Sequence, residues 1–149
     1  MGQSLVQNYM HVVFGTKNLS PLLLPEYEES IYDYIGGICR NIESPSLIVG
    51  GHLDHVHILS RISKNISLSE FAKKIKSNSS RWIKTKDVRL ENFSWQDGYG
   101  AFSVSPSHVS SLMDYIANQH QHHKKENFKE EYISLLKKYE LDYKEEYLW

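Results

Sequence analysis

Cysteine is nearly missing from this chain: Cys39 stands alone among 149 residues. An internal disulfide is thereby excluded, and a single thiol fits a reducing cytoplasm. With no cysteine cluster, nothing suggests a structural zinc site. No apolar run is long enough to cross a bilayer, which excludes a transmembrane helix. The first residues lack a charged segment leading into an apolar region, so export is not expected and a cytoplasmic setting is. A glycine-rich nucleotide-binding loop is missing as well. Charge of one sign is not in excess: 17 basic against 18 acidic residues give a net charge of −1, which argues neither for nor against a nucleic-acid partner.

What is present is ordinary in amount and uneven in placement. Hydrophobic content of 40% and charged content of 23% suit a globular protein, and 149 residues make one domain, 1–149, with a real core. Between Lys64 and Arg89 the basic residues Lys64, Lys73, Lys74, Lys76, Arg81, Lys84, Lys86 and Arg89 face only Glu70 and Asp87. That stretch is a candidate polyanion-binding surface, although a solvated helix face explains it equally. From Glu126 onward acidic residues outnumber basic ones.

Taken in order, Tyr9 to Phe14 is β-branched and aromatic and ends at Gly15, the pattern of a first strand. From Glu26 to about Asn41 apolar residues recur at helical spacing. Ser46–Gly50 predicts a second strand, turning through Gly51–Asp54 into a third, His55–Arg61, so the two form an antiparallel hairpin. Ser67-Leu68-Ser69-Glu70 has the form of a capping box, opening a helix with Leu68, Phe71, Ala72, Ile75, Ser79, Trp82 and Ile83 on one side. Tyr99–Val104 alternates as a fourth strand. Ser105 and Pro106 then open a helix reaching the His-rich end near Lys124. A last amphipathic helix, about Phe128 to Tyr139, turns Tyr132, Leu135, Leu136 and Tyr139 to one face. The order predicts an α+β, split βαβ (ferredoxin-like) fold: a four-stranded antiparallel sheet, two helices on one face, a tyrosine-bearing helix and a final helix.

The chemistry concentrates at Gly50-Gly51-His52-Leu53-Asp54-His55-Val56-His57. On a strand His55 and His57 stand on one face, roughly 7 Å apart at the backbone, within joint reach of one metal ion. Two strand histidines with ordinary hydrogen bonds satisfy the same pattern. His52 falls on the opposite face by alternation and is left out of the ligand set, while Asp54 shapes the turn or holds a histidine. Tyr115 and Gln119, four apart, project from one face of their helix. A half-buried tyrosine between Leu112 and Ile116 fits equally. His120, His122 and His123 read as a helix end that is solvated or hydrogen-bonds the last carbonyls, rather than as a second metal site.

Taken together, Asp54-His55-Val56-His57, the basic helix from Lys76 to Arg81, the segment Trp95–Ser105 and Tyr115-Ile116-x-x-Gln119 resemble the small single-tyrosine HUH transposases of insertion sequences that move as single-stranded DNA. The likeness runs from His11-Val12-Val13-Phe14 through Gln119-x-x-His122-His123 and Glu130-Glu131-Tyr132. It implies a metal site of His55, His57 and Gln119 holding Mg²⁺ or Mn²⁺. Tyr115 is then the nucleophile that forms a 5′-phosphotyrosine link. The implied substrate is single-stranded DNA carrying a hairpin. The implied assembly is a homodimer in which a long, movable tyrosine helix of one subunit can complete the partner's site. The resemblance leaves open which residue removes the phenol's proton. Lys73, Lys74, Lys76, Arg81 and Lys84 are the candidate backbone contacts. Trp82, Trp95, Tyr99 and Phe102 either stack on unpaired bases or fill the core. The same residues also suit a domesticated hairpin nickase. A non-catalytic nucleic-acid-binding module is the alternative outside the enzymes, and it should carry aromatics where this chain carries histidines.

Overall fold

The β-branched and aromatic run near the start forms strand β1 (Tyr9–Gly15) in this computed structural model, which describes residues 2–149. Helix α1 (Pro25–Asn41), strands β2 (Ser46–His52) and β3 (His55–Arg61), helix α2 (Leu68–Ile83) and strand β4 (Gly100–Ser103) follow. The strands pair antiparallel in the order β2-β3-β1-β4, the split βαβ arrangement expected from the element order. The capping box is realised, with the Glu70 amide donating to Ser67 Oγ at 3.1 Å.

Strand alternation sorts the sheet into two chemically different faces. Val12, Phe14, Val56 and Ile58 pack against Ile31 and Ile35 of α1 and Phe71 and Ile75 of α2, the main core. Register pairs Val13 with His57 and Gly15 with His55, so the histidines emerge on the other face. There Val13 and Phe102 pack against Phe128, Tyr132 and Leu136 of the last helix, labelled α5 below. One face is thus a dry core, and the other carries imidazoles beneath a second layer.

That second layer departs from the expected single long helix. After a 3₁₀ turn at Pro106–His108, α3 runs only from Val109 to Ala117, and α4 (Gln119–His122) begins beyond a break. Asn118 causes it: at φ −102°, ψ 23° its side-chain amide donates to the Asp114 carbonyl at 2.8 Å, competing with the helix's own ladder. Helix α5 (Phe128–Lys138) is opened by Asn127, whose side chain accepts from the Glu130 amide at 2.9 Å.

The helices of this layer reach the sheet where side chains are missing. A Cβ on Gly50 would lie 2.8 Å from both the carbonyl oxygen and Cγ2 of Ile116. Glycine there lets α3 rest directly on β2, and Tyr115 is the residue before that contact.

Candidate active site

His55 and His57 come from the central strand β3, and both are completely buried. Their Nε2 atoms converge on one point above the sheet. His55 Nε2 lies 2.8 Å from Gln119 Oε1, and His57 Nε2 lies 3.1 Å from Glu131 Oε1. The opposite nitrogens are held in place: His55 Nδ1 donates to Asp54 Oδ1 at 2.8 Å, and His57 Nδ1 meets His11 Nε2 at 2.7 Å. Asp54 therefore orients a histidine, one of the two roles its position suggested.

Tyr115 and Gln119 do reach the same place despite the helix break. The Tyr115 hydroxyl donates a short hydrogen bond to Glu131 Oε2, and Gln119 Nε2 donates to that same oxygen at 3.0 Å. The Tyr115 ring lies 5.8 Å from the His57 ring, edge-on. All of these side chains belong to one chain.

Glu131 was not among the expected site residues, yet it is the hub. Its side chain is 2% exposed. Burial works against its charge, but the neighbouring His123 and His57 hold the carboxyl well below the usual carboxylate range. Burial, and then the adjacent Glu131 carboxylate, push the Tyr115 phenol well above its ordinary value. Burial likewise lowers His57, outweighing the pull of Glu131, and lowers His11 further. A His57 pushed toward its neutral form beside an ionised Glu131 suits metal binding. His55, His57 and Glu131 indeed present donor atoms within 4.8 Å of one another, so the residues fit a divalent cation.

His123 bonds a carbonyl at its helix end, the Glu126 carbonyl at 2.6 Å. His123 is not solvated: its side chain is 3% exposed and its Nε2 lies 2.9 Å from Gln119 Oε1 and 3.1 Å from Glu131 Oε1. His122 is half-buried and sits 2.7 Å from Glu126, while His120 is exposed. His52 pairs directly with His55 across the two-residue turn, and directly opposed residues share a face. The two-residue turn resets the alternation, so His52 lies on the face of His55 and not on the opposite one. Even so, His52 Nδ1 meets His120 Nδ1 at 2.6 Å and stays out of the central cluster.

Beside Tyr115 opens a groove of about 570 Å³ between β4, α3 and α5, floored by His11 and rimmed by Ser105, His108, Ser111 and Lys138. The basic residues of α2 lie on the far layer. Lys73, Lys74, Arg81 and Lys84 are exposed there. Lys76 is engaged internally, its ammonium donating to the carbonyls of Gln96, Asp97 and Gly98 at 2.6–3.0 Å. Among the aromatics, Trp95 and Phe102 are buried, and Trp95 Nε1 donates to Ser79 Oγ at 2.9 Å. Trp82 is half-buried and stacks on Tyr34 at 4.4 Å.

Residues 4–119 match the family model described as "Transposase IS200 like". The chain belongs to the IS200-like transposase family. These are the single-tyrosine HUH transposases. Two solved structures share the family's fold with this chain. One is a transposase candidate from Deinococcus radiodurans R1, 22% identical, with a TM-score of 0.62 over 80% of this chain and 96% of that one. The other is a REP-associated tyrosine transposase bound to a REP hairpin, 14% identical, with a TM-score of 0.60 over 83% of this chain and 73% of that one. No curated protein matches the sequence. The family match ends at Gln119, so His123 and Glu131 lie beyond it.

Proposed function

We propose that this IS200-like transposase cleaves and rejoins single-stranded DNA through Tyr115. The observation that carries the reading is the meeting of Tyr115 with His55, His57, Gln119 and Glu131 at one buried point beside an open groove. His55, His57 and Gln119 would hold a divalent cation, which would supply Lewis-acid polarisation of a phosphate oxygen. The phenolic oxygen bonds to phosphorus as the P–O3′ bond breaks, leaving a 5′-phosphotyrosine and a free 3′-hydroxyl. Glu131 Oε2, already accepting the phenol's hydrogen bond, is the acceptor in line for its proton. Attack by a 3′-hydroxyl on the phosphotyrosine reverses the step, so no nucleotide cofactor is consumed.

The substrate we infer is hairpin-bearing single-stranded DNA, in keeping with the hairpin bound by the structural neighbour. Lys73, Lys74, Arg81 and Lys84 offer backbone contacts on the α2 side, where they position DNA without reading its sequence. The single strand then runs to the groove at Tyr115. Assembly as a homodimer in the cytoplasm is part of the same proposal. Among the described residues no helix is long and apolar enough to cross a membrane.

A covalent-adduct assay tests this. Labelled single strands from both flanks of the gene are incubated with Mn²⁺ or Mg²⁺ and resolved on denaturing gels. A metal-dependent protein–DNA band is expected, lost in both His57→Ala and Tyr115→Phe. A band that survives Tyr115→Phe would show that Tyr115 is not the nucleophile. Tight hairpin binding with no adduct on any strand would favour a non-catalytic binding role.

A further inference from the structure

His123 is held at the cluster in the same way as His55 and His57, and Glu131 links them, standing in one donor set with His55 and His57 and in another with His122 and His123. Each of the three turns Nε2 inward and has Nδ1 held outside: by Asp54 Oδ1 at 2.8 Å, by His11 at 2.7 Å, and for His123 by the Glu126 carbonyl at 2.6 Å. Metal-ligating histidines are oriented in this way, with the second nitrogen tied to a carboxylate, carbonyl or other acceptor. The spacing of the inward atoms is equally telling. His55 Nε2 to Gln119 Oε1 is 2.8 Å, and Gln119 Oε1 to His123 Nε2 is 2.9 Å. Glu131 Oε1 lies 3.1 Å from His123 Nε2, 3.1 Å from His57 Nε2 and 3.4 Å from His55 Nε2. A six-coordinate ion with bonds of about 2.1 Å spaces neighbouring donors about 3 Å apart.

We propose that His123 and Glu131 join His55, His57 and Gln119 as metal ligands, forming a five-donor, imidazole-rich centre that takes a first-row transition ion such as Mn²⁺ in preference to Mg²⁺. The inference rests on the reading of His55, His57 and Gln119 as ligands, and adds two residues from outside the family match. Three imidazoles set the preference, since Mg²⁺ favours oxygen ligands and holds on to its water. Glu131 divides its work: Oε1 faces the metal position, while Oε2 holds Tyr115 and Gln119.

The test is metal binding by the full chain, stripped of metal and titrated with MnCl₂ or MgCl₂ in a calorimeter, with pulsed EPR of bound Mn²⁺ to count imidazole nitrogens. Mn²⁺ should bind at least ten-fold more tightly than Mg²⁺. His123→Ala and Glu131→Gln should each weaken Mn²⁺ binding about ten-fold or more. The nitrogen count should fall from three in wild type to two in His123→Ala. Unchanged affinity in both variants, Mg²⁺ binding as tight as Mn²⁺, or a wild-type count of two would overturn the proposal. If the variants do not fold, the wild-type count decides alone. Tyr115→Phe should bind Mn²⁺ like wild type while forming no adduct. A wild type that forms the adduct around a two-nitrogen centre overturns this inference and leaves the proposed function standing. Loss of both metal binding and adduct overturns both.

Discussion

Lys76 and its neighbours Lys73 and Lys74 look alike in sequence and differ in duty. Three backbone carbonyls surround the Lys76 ammonium, and burial pushes its pKa down to about 8. Lys73→Ala with Lys74→Ala should lower DNA affinity and flatten its salt dependence while leaving thermal stability within about 0.5 kcal/mol. Lys76→Ala should instead destabilise the fold by about 2 kcal/mol, because it strips charged hydrogen bonds from the 96–98 loop. Differential scanning calorimetry beside fluorescence-anisotropy titrations separates the two effects. The residues legible in the sequence were those whose partners are a fixed step away: His55 with His57, and Tyr115 with Gln119. Glu131 and His11 escaped because they reach the cluster from distant elements. A signal for Glu131 was present nonetheless. It lies three residues after Phe128 and four before Leu135, inside the apolar stripe of α5, where a lone carboxylate needs a partner.

For whole elements, the sheet and its two core-facing helices followed from hydrophobic period and capping, whereas the tyrosine helix did not. Apolar spacing runs unbroken through Ile116, and only the side chain of Asn118, folding back on Asp114, stops α3. Periodicity records which face is buried and is blind to such local competition. The contact that sets α3 on β2 is likewise invisible in the pattern, since it depends on a missing side chain. Gly50→Ala forces its new Cβ against the Ile116 carbonyl, so α3 must lift. The expected result is a stability loss of about 1–3 kcal/mol and a drop in adduct formation of up to about 100-fold. Single-turnover cleavage and chemical denaturation measure the two quantities.

The molecule as a whole should lose stability in base. Cys39 is fully buried, and burial pushes its thiol up to about 11 from 9.0. A raised acid favours the folded state while protonated. That contribution is complete below about pH 9 and is lost as pH rises through 11. Tyr132, pushed up to about 12 by burial, extends the loss. The melting temperature of wild type should fall more steeply between pH 9 and 11 than that of Cys39→Ala, and identical slopes would refute the assignment. The same two-layer build has a consequence for length. Exposed lysines of α2 stand on one side of the sheet and the Tyr115 groove on the other, so a strand anchored at the first must travel around the edge to reach the second. Too few nucleotides leave the phosphate stranded short of the phenol, an abrupt failure. Surplus nucleotides cost only slowly growing closure entropy, about 0.6 kcal/mol per doubling. Under the proposed function, the thickness of the protein would serve as a ruler, setting a minimum distance between hairpin and cut without reading a single base.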